Sequence, residues 1–126
     1  MPPSSIGVKY SMTEHEIQSE FIRIVEESMP HILFCATVGG ARMSISEAKK
    51  IKRAGYRKGV PDVIFYEPRN GYHGLAIEIK RKGGRVSPHQ KQWVLDLQRR
   101  GYHAEVCTGL NACLTSFNDY FGTDLK

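Results

Sequence analysis

The chain has 126 residues and a formal net charge of +5, enough length to bury one core without staples, and its 40% apolar and 25% charged content is that of an ordinary water-soluble domain. Cys35, Cys107 and Cys113 are odd in number and widely spaced, without a Cys-x-x-Cys pair, so neither a disulfide framework nor a zinc knuckle is suggested and the three read as small core residues in a reducing compartment. No segment approaches the eighteen or so apolar residues of a membrane span, and MPPSSIGVKYSM has no apolar run, so a cytoplasmic protein with no membrane partner is expected.

Residues 1–12 read as a flexible tail and 13–126 as a single domain. Thr13 and Glu16 form a capping-box pattern, and Ile17, Phe21, Ile24 and Val25 give an apolar stripe at helical spacing until Pro30, which predicts a first helix over about 14–29. Glu20, three after Ile17 and four before Ile24, lies at the edge of that stripe. An inward carboxylate there needs a partner, whereas a rim residue simply reaches water. His31 to Val38 is a short apolar run closed by Gly39-Gly40 and predicts a buried strand. Ser44 and Glu47 offer a second capping box, for a basic helix that stops near Gly55.

A hairpin follows. Val63, Phe65 and Tyr66 lead into Pro68-Arg69-Asn70-Gly71, and Leu75, Ile77 and Ile79 lead out, which predicts strands near 61–66 and 74–80. Gly83-Gly84 breaks the chain. Ser87, Pro88 and Gln90 then supply an N-cap, a first-turn proline and the third box residue of a helix whose stripe is Gln90, Trp93, Val94 and Leu97, ended by Gly101. His103 to Cys107 is a last strand. Asn111 to Phe121 is a closing helix with Leu114, Phe117, Tyr120 and Phe121 apolar; that face suits either the core or a contact between copies.

The basic residues are concentrated. Arg42, Lys49, Lys50, Lys52, Arg53, Arg57 and Lys58 are opposed within their segment by Glu47 alone, and Lys80, Arg81, Lys82, Arg85, Lys91, Arg99 and Arg100 by Asp96 alone. These two segments carry +12 and the remainder −7. Such segments suit a phosphate backbone, with Arg42, Lys49, Lys50, Arg53, Arg57, Lys58, Arg81, Lys82 and Arg85 as the expected DNA contacts. Solvated helical faces rich in Lys and Arg are the plainer reading.

Between the basic segments lie Gly59-Val60-Pro61-Asp62 and Glu78-Ile79-Lys80. If the hairpin is centred on Asn70, paired positions sum to 140 and Asp62 falls opposite Glu78. Opposed like charges destabilise a sheet, and a cation between them removes the conflict. Strand alternation puts Glu78 and Lys80 on one face and Ile77 and Ile79 on the other. Lys80 either completes a site with the two carboxylates or pairs with them as a solvated sheet surface.

This order of elements, α-β-α-β-β-α-β-α, resembles the restriction-endonuclease-like α/β fold, with a central mixed four-stranded sheet flanked by helices, whose active-site pattern is Pro-Asp followed by Glu or Asp, any residue, and Lys. The closer resemblance is to the VRR-NUC (virus-type replication-repair nuclease) family, from about Glu16 to Phe121. It is carried by Glu20, Gly59-Val60-Pro61-Asp62, Glu78-Ile79-Lys80 and Ser87-x-x-Gln90, with Glu16 a rival to Glu20.

The resemblance implies that Asp62 and Glu78, with the main-chain carbonyl of Ile79, bind Mg²⁺ or Mn²⁺, oxygen ligation suiting those hard cations. Glu20 would reach the same metal, Lys80 would position or deprotonate the attacking water, and Gln90 would steady Lys80 or the water unless it is spent on its helix cap. It further implies a homodimeric, often phage-encoded endonuclease, acting in the host cytoplasm on branched DNA such as four-way (Holliday) junctions. The rival expectations are a non-catalytic nucleic-acid-binding domain and an endonuclease on linear duplex.

Overall fold

The computed structural model describes residues 11–37 and 44–126. Arg42, the Gly39-Gly40 break and most of the expected tail lie outside the described residues. The elements are α1 (Glu14–Ser28), β1 (Phe34–Ala36), α2 (Ile45–Arg53), β2 (Val63–Phe65), β3 (Leu75–Lys80), α3 (Pro88–Arg99), β4 (His103–Thr108) and α4 (Leu110–Phe121), in the predicted order. They form an α/β fold around one four-stranded mixed sheet of order β1-β2-β3-β4; the first two pairings are antiparallel and β3-β4 is parallel.

One face of the sheet carries the core. Val63, Phe65, Leu75, Ile77, Ile79 and Cys107 pack there against Ile17, Phe21, Ile24 and Val25 of α1 and Cys113, Leu114, Phe117, Tyr120 and Phe121 of α4. Phe21, Phe65 and Phe117 meet edge to face at centroid separations of 5.3–6.1 Å, a preferred aromatic geometry. Phe117, Tyr120 and Phe121 are therefore core residues and not a surface between copies. The opposite face, with Ala76, Glu78, Lys80 and Ala104, is the side from which Gln90 of α3 bonds to Glu78.

The three predicted capping boxes all form, at Thr13/Glu16, Ser44/Glu47 and Ser87/Gln90. The predicted buried strand over His31 to Val38 is corrected to the three residues of β1, of which Cys35 and Ala36 are exposed. β1 lies at the sheet edge and pairs only with β2, so an apolar run here marks an edge and not a centre. Cys35 is accordingly no core residue, while Cys107 and Cys113 are buried.

The hairpin register has the predicted sum: Val63 faces Ile77, Ile64 faces Ala76 and Phe65 faces Leu75. Its turn is Asn70-Gly71, with φ of 55° and 82°, and Arg69 and Tyr72 exchange main-chain hydrogen bonds across it. Positive φ at both central residues is the primed turn favoured by Asn-Gly. Three residues separate Phe65 from Arg69 but only two separate Tyr72 from Leu75, so one extra residue next to Pro68 offsets the turn from the ladder.

Candidate active site

β3 is buried along its whole length, and it takes Glu78 and Lys80 with it, at 2% and 7% exposure. Buried charge is costly unless paired, so this is no solvated sheet surface. Lys80 Nζ lies 3.7 Å from Glu78 Oε2, and Gln90 Nε2 donates to the same oxygen at 3.0 Å. The other end of the Gln90 amide accepts from Ser87 N–H at 2.9 Å. The side chain that closes the helix cap therefore also bonds to Glu78, so capping does not exclude that contact.

Asp62 comes from the entry to β2. Thr37 holds that entry, through Oγ1 on the Pro61 carbonyl and its N–H on the Asp62 carbonyl, both at 2.9 Å. Asp62 Oδ2 accepts from Ile79 N–H at 2.7 Å, which brings the carboxylate beside β3 at Glu78. The preceding loop is pressed onto α3. Trp93 Nε1 donates to the Lys58 carbonyl at 3.1 Å, and Gly59, with φ of +94°, lies so close to His89 that a Cβ would stand 2.7 Å from its main chain. Glycine at 59 is thus a condition for seating Pro61-Asp62.

The electrostatics follow from burial of like charges. Desolvation, then the neighbouring Asp62 carboxylate, push Glu78 up to about 8. Desolvation also raises Asp62 against the Ile79 N–H that favours its ionised form. A third carboxylate acts on both: Glu14, in the first turn of α1, raises each of them, and its Oε2 accepts from Arg81 N–H at 3.3 Å.

Among the described residues the α1 carboxylate whose charge acts on both Asp62 and Glu78 is therefore Glu14, a residue the family pattern did not single out. Glu20 is bound by Arg23 through Nε at 2.9 Å and Nη2 at 2.6 Å, and that guanidinium holds its carboxylate below the usual value. Glu16 accepts from Thr13 N–H in the capping box. One signal could have found Glu14: at 100° per residue it projects within the arc of Ile17, Phe21, Ile24 and Val25, whereas Glu20 falls outside it.

Of the expected DNA contacts, Arg81, Lys82 and Arg85 lie exposed on the loop that leaves β3, next to Lys80. Lys49, Lys50 and Arg53 are exposed on α2, with Arg57 and Lys58 on the loop after it. Among the described residues no helix is long and apolar enough to cross a membrane.

Among known families, the VRR-NUC domain model matches this chain over residues 12–111. The chain belongs to the VRR-NUC family. Its function is accordingly of the nuclease type. A solved VRR_NUC domain protein superposes with a TM-score of 0.74 at 28% identity, covering 91% of this chain and 92% of that one. A second solved VRR_NUC domain, at 18% identity and a TM-score of 0.51 over 83% of this chain and 98% of that one, shares the fold. The Fanconi-associated nuclease 1 homolog of Arabidopsis thaliana is 35% identical over 78 residues, 57% of this chain. The matched part is 8% of that relative's length.

Proposed function

We propose that this VRR-NUC domain is a Mg²⁺- or Mn²⁺-dependent endonuclease that hydrolyses phosphodiester bonds in DNA, acting on branched structures such as four-way junctions as a homodimer. The observation that carries the reading is the cluster of half-buried Asp62 with buried Glu78 and Lys80, with Gln90 bonded to Glu78.

The residues fit a hard divalent cation. Two adjacent carboxylates, each raised toward the protonated state by desolvation and by Glu14, with Glu78 raised further by Asp62, offer oxygen ligands whose charge a cation would offset. Asp62 and Glu78, with the Ile79 carbonyl, are the proposed ligands. Among the described residues no three His, Cys, Asp or Glu side chains are gathered tightly enough to hold a metal alone, so main-chain oxygen and water complete the shell. When bound, the ion supplies an acidified water and a positive charge against the phosphate.

The chain's own groups do the rest. Ile79 N–H fixes one Asp62 oxygen and leaves the other for ligation. Gln90 fixes the Glu78 carboxylate from the α3 side. Lys80, buried beside Glu78, is placed to orient or deprotonate the attacking water and to offset charge on the phosphorane-like transition state. Arg81, Lys82 and Arg85 border this point and suit the flanking phosphates. A homodimer supplies two such centres related by symmetry, which paired cuts across a junction require. A cytoplasmic setting agrees with three free cysteines, two of them buried.

The deciding experiment compares four-way junction, flap, splayed-arm and linear duplex DNA with Mg²⁺ or Mn²⁺, for the wild type, Asp62→Asn and Lys80→Ala. Junction cleavage lost in both variants, with binding retained, is the expected result. Cleavage surviving in both variants overturns the site. Binding without cleavage in any divalent metal returns the non-catalytic reading, and preference for linear duplex overturns the branched substrate.

A further inference from the structure

α2, like α3, has no buried residue, but among the described residues α2 alone of the helices packs against no other helix or strand. Its stability is local: the Ser44/Glu47 box closes its start, and Arg57 Nη1 donates to the Lys52 carbonyl at 3.1 Å at its end. A helix of nine residues is marginal in water by itself, so caps at both ends are what keep it formed.

Among the described residues the basic side chains of α2 have no ion-pair partner either. Lys49, Lys52 and Arg53 sit at i, i+3 and i+4, and together with Arg57 they line an open recess of about 480 Å³ with no acidic residue among the described residues of its wall. Like charges at these spacings destabilise a helix. Part of this is met by the helix dipole, which favours cations in the last turn. The dipole does not gather Lys49, a turn earlier, and Arg57, beyond the helix, around one recess. Glu47, the acid of α2, is committed to the cap. A polyanion is the occupant that charge complementarity selects.

The position relative to the reaction is also defined. Lys58 and Gly59 are held against α3 by Trp93 and His89, and Asp62 follows on the fixed side of that contact. α2 lies on the other side, nine residues before Asp62.

We infer that Lys49, Lys52, Arg53 and Arg57 form a clamp for the phosphate backbone of DNA, separate from the Asp62–Glu78 centre, that sets how tightly DNA is held and not how fast it is cut. The inference rests on the nuclease reading above. The clamp gives affinity without sequence information, since phosphate contacts position and base contacts specify.

The test is Lys49→Ala/Lys52→Ala/Arg53→Ala, three exposed positions that leave the Arg57 end cap in place. A control, Lys91→Ala/Arg99→Ala/Arg100→Ala, removes the same charge from α3, where Arg99 faces Asp96 and Arg100 bonds its carbonyl. Binding of a fluorescein-labelled four-way junction is followed with Ca²⁺ in place of Mg²⁺ across a salt series, and single-turnover cleavage is measured at saturating protein. The α2 variant is expected to bind at least about tenfold more weakly at 0.15 M salt and to flatten the slope of log K against log salt by about 2 to 3, while the α3 control flattens it by less than about 1. Saturated cleavage by the α2 variant stays near that of the wild type.

An unchanged slope in the α2 variant, or equal effects of the two variants, overturns the clamp. So does a lost saturated rate with unchanged affinity, or a shift from dimer to monomer that accounts for the weaker binding. A wild type that binds no DNA at all removes the nuclease reading together with the clamp, whereas a wild type that binds and cuts while the α2 variant matches it removes the clamp alone.

Discussion

Gln90 Nε2 stands 3.0 Å from Glu78 Oε2 while Gln90 Oε1 accepts from Ser87 N–H, so the cap of α3 and the buried carboxylate of β3 are one hydrogen-bonded unit. The orientation of the amide is determined by its neighbours, because Ser87 N–H needs an acceptor and Glu78 needs a donor.

Two substitutions separate the halves of that unit. Gln90→Glu keeps an oxygen for the cap but replaces the donor with a second negative charge against Glu78. Cleavage is expected to fall at least about tenfold, as for other residues that orient a ligand, with a melting temperature close to that of the wild type. Gln90→Ala loses the cap as well, and stability should drop by about 0.3–1.5 kcal/mol. A Gln90→Glu variant of full activity would show that the bond to Glu78 is idle.

Raised carboxylate pKa values give the metal-free protein a defined pH dependence. Glu78 is raised by burial and then by Asp62 to about 8, so between its unfolded value near 4.5 and that point the folded state binds the extra proton. Stability should therefore be highest below about pH 4.5 as far as this group is concerned, and decline as pH rises toward 8. Thermal melts in EDTA should show a fall of several degrees from pH 5 to pH 8, smaller in Glu78→Gln. Mg²⁺ or Mn²⁺ added at pH 8 should recover it. A wild type and a Glu78→Gln variant with parallel profiles would contradict this.

How far these features could be read beforehand depends on whether local sequence determines them. Capping boxes at Thr13, Ser44 and Ser87 are local and were legible, as was the hairpin register that sets Asp62 across from Glu78. The register survived a turn displaced by one residue, because core-facing Val63, Phe65, Leu75 and Ile77 allow no slip. The edge position of β1 was not legible, since an apolar run looks the same at the centre and edge of a sheet. Glu14 was hidden by a sufficient bland explanation: acids are favoured in any first helical turn. Its role emerges only from tertiary packing, which carries the start of α1 to Arg81. Glu20 shows the converse, since its stripe-edge position does not reveal that Arg23 one turn away satisfies it.

Glu14 and Glu20 can be ranked by the same substitution at each. Glu14→Gln removes a charge felt by both Asp62 and Glu78, and metal-dependent cleavage is expected to fall at least about tenfold. Glu20→Gln removes an exposed ion pair and should leave activity within about twofold and stability within about 1 kcal/mol. Titration of cleavage against Mn²⁺ concentration measures the difference, with a shifted metal requirement expected for Glu14→Gln alone. The reverse ranking would return the helical role to Glu20.

Gly59→Ala tests whether the approach of the loop to α3 is what seats Asp62. Gly55 and Gly59 both have positive φ, 113° and 94°, but a Cβ at Gly55 meets nothing within 4 Å, whereas at Gly59 it would lie 2.7 Å from the His89 main chain. Alanine at either position carries the backbone cost of positive φ, about 1–2 kcal/mol. At Gly59 the overlap adds about 1–3 kcal/mol more, and the loop can relieve it only by moving Pro61-Asp62 away from Ile79. Gly59→Ala should thus melt lower than Gly55→Ala and lose cleavage even at temperatures where it stays folded, while Gly55→Ala remains active. Circular dichroism melts paired with cleavage well below each midpoint make the comparison, and equal activity in the two variants would mean that the contact with His89 stabilises the fold without positioning the carboxylate.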